Sequence, residues 1–109
     1  MRLMSFTHTA DAMRWRLKTV TRRAGWRNLR PGDRVLAVVK HRGRKRGEPL
    51  DVLGVIEITS NRREPLSAIT AAEVEREGFG DLPAAEFVRE FCRKIGGNPQ
   101  TVINRIEFK

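Results

Sequence analysis

Four side chains in this sequence have the types and spacing to do chemistry together: Lys18 and Thr21 in "LKTVTRR", and Glu75 and Glu77 in "AAEVEREGF". A threonine hydroxyl becomes a nucleophile only when a base removes its proton. A lysine can be that base if burial or neighbouring cations bring its pKa down from about 10.4. Arg14, Arg16, Arg22 and Arg23 crowd the same stretch and push in that direction. A carboxylate such as Glu77 can then orient the lysine or handle the leaving-group proton. The plainer reading is an exposed basic strand, because Lys-x-x-Thr is a frequent chance spacing. Geometry sets a condition as well. Residues three apart on a regular strand point to opposite faces, so Lys18 meets Thr21 only from the turn before the strand or across a bulge.

The same residues also read as nucleic-acid contacts. Thr19, Thr21 and Arg23 share one face of a strand and Lys18, Val20 and Arg22 the other, and both faces offer donors suited to phosphate and sugar oxygens. Trp15 and Trp26 flank the stretch, each either a core side chain or a stacking platform for an unpaired base. "RGRKR" adds Arg42, Arg44, Lys45 and Arg46 as backbone-phosphate contacts, with Arg62 and Arg63 as a weaker cluster.

Charge distribution supports a polyanion partner. The 109 residues carry a formal net charge of +9, and the excess is lopsided. Residues 1 to 46 hold fourteen Lys and Arg against Asp11 and Asp33, whereas residues 47 to 109 hold eight against eleven acids. A one-sided field of this kind favours nucleic acid, and arginine predominates, whose planar fork matches phosphate and base edges.

Other chemistries find little support. His8 and His41 are isolated and Cys92 has no partner at ligand spacing, so no metal and no cofactor is expected. His8 reads as a surface or cap residue, His41 as an anion contact below neutral pH, and Cys92 as a small buried hydrophobe. "GRKRGE" lacks the phosphate-loop pattern. No apolar run approaches the roughly 20 residues of a membrane span, and the start of the chain lacks a signal-peptide core, so a cytoplasmic protein with no membrane partner is expected.

The elements that must position these residues follow from pattern. "LMSF" reads as a strand, the segment from Thr7 to Leu17 as a short helix, and "TVTRR" as a second strand. A Pro31-Gly32 turn precedes a strand from Arg34 to Lys40, and residues 51 to 60 form another. Thr70 and Glu73 make a capping box for a helix over 69 to 79 that stops at Gly78. Phe87, Val88, Phe91 and Ile95 line one face of a helix over 82 to 97, and residues 101 to 108 form a closing strand. The expectation is one α+β domain over residues 1–109: a small β-barrel of five to six mostly antiparallel strands with peripheral helices.

The ordered set "KTVTRR", "GWRNLRPGD", "RKRGE", "LGVIEI", "PLSAITAAEVEREGF", "EFVREFC" and "RIEF" resembles the ASCH family, and most of all its small stand-alone phage and bacterial members. The resemblance runs from about Ser5 to Phe108. It implies a β-barrel with peripheral helices, related to the PUA domain of RNA-modifying enzymes, and binding of RNA, ahead of DNA, in a cleft beside the barrel. One branch of the family is similar to N4-acetylcytidine amidohydrolases, whose Lys, Thr and Glu carry over here to Lys18, Thr21 and Glu77. Ribonuclease activity is also attributed to ASCH proteins. In place of the Gly and polar residue usual before the Lys, this chain has Arg16 and Leu17. The expected cleft is lined by Lys18, Thr21, Arg22, Arg23 and Glu77, with Trp26 at its mouth. Binding of a host protein is a third reading, compatible with a small phage protein.

Overall fold

A long central strand organises the molecule. The computed structural model describes residues 1–41 and 43–109. Five strands, β1 (Leu3–Ser5), β2 (Val20–Arg23), β3 (Arg34–Val38), β4 (Val52–Pro65) and β5 (Val102–Phe108), form one sheet in the order β1-β3-β4-β5-β2. Within that sheet the β1–β3 pair is parallel and the others are antiparallel. Beside it, among the described residues, stand three α-helices: α1 (Ala10–Arg14), α2 (Ala71–Val74) and α3 (Ala84–Ile95). Among the described residues no helix is long and apolar enough to cross a membrane.

β4 is longer than its sequence suggests, continuing through the charged "NRREP" to Pro65. Its first half pairs with β3 and its second half with β5, and the register shifts between Ile58 and Ser60. A bulge of this kind bends a strand and steepens its twist. The bend separates two cores. Met4, Phe6, Val35, Ile56, Ile58 and Phe108 belong to one. Leu66, Ile69, Val74, Phe87 and Ile103 form the other, under α3.

The sheet curls but does not close into the expected barrel. β1 and β2 are its two ends, and each has one neighbour. With three and four residues these strands are short, and a side chain spans the space between them: Arg23 Nη2 donates to the Ser5 carbonyl at 2.6 Å. The gap opens a cavity between the sheet ends, the segment Glu77–Phe79 that follows α2, and α3.

The two later helices begin and end as their residues direct. Thr70 Oγ1 accepts from the Glu73 amide at 3.3 Å, the expected cap of α2. Beyond Val74 the helix widens into a π turn over Glu75–Phe79, in which Gly78 takes φ +92°. Pro83 precedes α3, and Gly96 ends it at φ +70°, its amide donating to the Cys92 carbonyl.

Candidate functional site

Lys18 reaches the site from a turn. After α1 the chain reverses through Arg16 at φ +57°, and the amides of Leu17 and Lys18 both donate to the Ala12 carbonyl, at 2.8 and 3.3 Å. An L-residue in this left-handed region costs roughly 1–2 kcal/mol. The strain sits where Lys18 is aimed. β2 starts only at Val20, so Lys18 lies before the strand, meeting one of the two conditions under which it and Thr21 can border the same space.

Glu77 comes from the other side, on the π turn. Lys18 Nζ donates to the Glu77 carbonyl at 2.6 Å and to its Oε1 at 2.9 Å. The last carbonyls of a helix lack intrahelical partners, and a cation there is favourable. The neighbouring Arg76 carbonyl accepts from the Thr19 amide at 2.9 Å, so two successive carbonyls tie the end of the helix to the turn. This close approach requires glycine next door. A Cβ on Gly78 would stand 2.8 Å from Ala12 Cβ and 3.4 Å from Lys18 Cβ.

A largely buried ion network extends beneath. Arg22 Nη1 donates to Glu77 Oε2 at 3.1 Å, and Nη2 to Glu73 Oε1 at 2.9 Å. Arg22 lies directly opposite Arg105 in the β2–β5 register, a like-charge pairing that destabilises unless neutralised. Glu73 supplies the neutralisation, accepting also from Arg105 Nε and Nη2 and from Arg76 Nη1. The side chains of Lys18, Arg22 and Arg105 are only 3%, 1% and 5% exposed. Hydrogen bonds from Arg105, partly opposed by burial, hold the Glu73 carboxyl at about 2. Burial pushes Lys18 below the ordinary lysine value although Glu77 pulls the other way.

Above this floor lies a cavity of about 570 Å³, within the range of roughly 300–1,000 Å³ common for small-molecule sites. Lys18, Thr21, Arg22, Arg23 and Glu77 all border it. Thr21 is buried, and its Oγ1 accepts from Arg23 Nε at 3.1 Å. The walls are aromatic, from Phe6 on one side and Phe79, Phe87 and Phe91 on the other. Lys18 Nζ stands 5.9 Å from the Phe6 ring centre and 5.8 Å from that of Phe79. The Arg23 guanidinium lies 4.8 Å over Phe6. Buried cation, hydroxyl and carboxylate thus face a space with flat apolar sides.

The remaining expected residues lie elsewhere. Thr19 Oγ1 accepts from Arg76 Nε, on the helix side. Arg14 is paired with Asp11 and Asp51, and Arg16 is exposed. Arg44, Lys45 and Arg46 are exposed on their loop, and Arg42 lies outside the described residues. Trp15 is 77% exposed; Trp26 is half-buried, packed on the first core. Glu75 is exposed, and only Glu77 of the two glutamates reaches the cavity. Reading the sequence missed Glu73 as an ion partner and Arg105 altogether. One signal was present: Glu73 and Glu77 are four apart, hence on one helical face.

No family model matches the sequence, and no curated protein matches it. Solved structures do. An ASCH domain from Lactobacillus crispatus superimposes with a TM-score of 0.64 at 21% identity, covering 99% of this chain and 77% of that one. A protein of the DUF984 family model from Enterococcus faecalis gives a TM-score of 0.72 at 12% identity, covering 100% and 75%. At these identities the likeness is one of fold.

Proposed function

We propose, from the premise that this chain is an ASCH-like protein by fold, that it binds RNA by drawing one unpaired base into the cavity over Lys18, Thr21 and Glu77. The observation that carries this reading is the pairing of aromatic walls with a charged floor in a space of about 570 Å³. A base offers flat faces to Phe6 and Phe79 and hydrogen-bonding edges to Arg23 and Thr21. The exposed arginines outside the cavity supply attraction to the backbone. RNA is preferred to DNA on the resemblance to PUA domains of RNA-modifying enzymes. The test is fluorescence anisotropy with matched single-stranded RNA and DNA oligomers across a salt series. Affinity should fall steeply with salt, be greater for RNA, and weaken in Arg23→Ala. An affinity indifferent to salt and to that change overturns the reading.

A second reading, hydrolysis of an N4-acylated cytidine, is favoured by the buried Lys18–Glu77 pair, which borders the same cavity as Thr21. Proton transfer across the 2.9 Å contact from Lys18 Nζ to Glu77 Oε1 leaves a neutral amine. Burial, which lowers the Lys18 pKa, assists that transfer. The amine takes the Thr21 proton as Thr21 Oγ1 bonds the acyl carbon, and Arg23 Nε–H supports the oxygen. The C–N bond breaks, and Lys18 returns the proton to the departing amine. Water then cleaves the threonyl ester, releasing the carboxylic acid and restoring Thr21. Carboxylate release from N4-acetylcytidine should be abolished in Thr21→Val and in Lys18→Met. Unchanged release in either variant removes that residue from the chemistry.

A further inference from the structure

A second cavity, of about 400 Å³, lies beside the first. Ser5, Thr7 and Arg23 border both, so the two share one wall. The rest of its lining is Leu3, Trp26, Lys40 and His41. Among the described residues no carboxylate borders it. The first cavity, by contrast, contains Glu77 and Glu90.

Its construction is specific. Thr7 Oγ1 donates to the Val39 carbonyl at 2.7 Å, fixing the backbone next to Lys40 against the shared wall. Lys40 Nζ stands 3.6 Å from the half-exposed Glu48, a contact easily exchanged for another anion. Trp26 is held at φ +67°, a conformation costly for a bulky residue. Asn61 Nδ2 clamps that turn by donating to the carbonyls of Trp26 and Leu29, each at 3.0 Å. The Arg2 guanidinium lies 4.2 Å over the indole, so the ring already holds a flat partner. A stacking surface, a lysine and a shared arginine are therefore gathered in one hollow, one wall away from the proposed base site.

We propose that this second cavity is the subsite for the neighbouring nucleotide of the same RNA strand, its phosphodiester held between Arg23 and Lys40 and its base against the part of Trp26 that borders the cavity. The proposal rests on the base-binding reading of the first cavity. It makes the protein a reader of at least two linked nucleotides, with Arg23 contacting the link.

Calorimetric titration with cytidine, with cytidine 3′- and 5′-monophosphates, and with the dinucleotides CpA and ApC tests it. One dinucleotide should bind about tenfold or more tighter than cytidine, as expected for one stacked base. The matching monophosphate should capture the part of the gain that rises as salt falls. Lys40→Ala, a substitution of a half-exposed side chain, should erase the phosphate-dependent gain while leaving cytidine affinity as it was. Trp26→Leu, which keeps apolar packing on the core, should remove the gain from the second base. Equal affinity for cytidine and both dinucleotides overturns the subsite and leaves the first reading standing. Absence of binding by every probe overturns both.

Discussion

Two populations of cations on this molecule do opposite things. Lys18, Arg22 and Arg105 are inside, each paired with carboxylates from α2 or the π turn that follows it. Arg16, Arg27, Arg30, Arg44, Lys45 and Arg46 are outside, in water. The sequence groups many of them as one basic stretch, yet only the outer set projects a field. The inner set is neutralised, and its value lies in holding a floor rigid beneath the cavity. Net charge therefore misstates what KTVTRR does. Both arginines border the cavity, but Arg22 is committed to the carboxylates of Glu73 and Glu77, whereas Arg23, among the described residues, bonds only Thr21 Oγ1 and the Ser5 carbonyl.

The largest effect should come from breaking the inner set. Glu73→Ala takes from Arg22 and Arg105 the partner they share, leaving Glu77 to one and Glu107 to the other. It should cost about 3 kcal/mol in urea unfolding, the low end for a broken buried pair. Gly78→Ala should follow, at about 1–3 kcal/mol, because a Cβ there collides with Ala12 and must adopt φ +92°. A binding assay sharpens that case, since the collision also presses on Lys18 and should impair the cavity beyond the drop in stability.

Acid should dissolve the same network. The Glu73 carboxyl sits at about 2 in the folded protein against an ordinary 4.5, so its contribution is complete above pH 4.5. It disappears as pH falls from there through 2, and Glu73→Gln should flatten that limb of a stability-against-pH curve. The smallest stability effect belongs to the outer set. Replacing Arg44, Lys45 and Arg46 together by Ala should change unfolding free energy by under about 0.5 kcal/mol per residue. If these side chains touch RNA phosphates, the salt slope of binding should fall by about 0.7 for each phosphate no longer neutralised. A large drop in stability with no change of slope would reverse the assignment of inner and outer roles.

Much of the scaffold was legible because it is written locally. The Thr70–Glu73 cap, the α3 face ending at Gly96, and the β-branched residues of β2 and β5 each depend on residues within one turn or strand. The turn that carries Lys18 was legible only as a condition. The extension of β4 was hidden, since "NRREP" is polar and ends in proline, and it becomes a strand only through pairing with β5. The open sheet was hidden too, because pattern fixes which segments are strands but not whether the ends meet. Arg105 was invisible for a similar reason: its partner Glu73 is 32 positions away, and nothing local marks a strand arginine as buried.

The unclosed seam between β1 and β2 has a consequence for life in a crowded solution. A sheet with two free ends ordinarily presents two templates for pairing with other chains, a route to self-association. Here Ser5 and Phe6 from one end and Thr21, Arg22 and Arg23 from the other border the same hollow, and Arg23 occupies a Ser5 carbonyl that an invading strand would use. On the proposed function, the opening that takes the base is also what turns the sheet's adhesive margins inward, and Arg23 joins recognition to colloidal restraint.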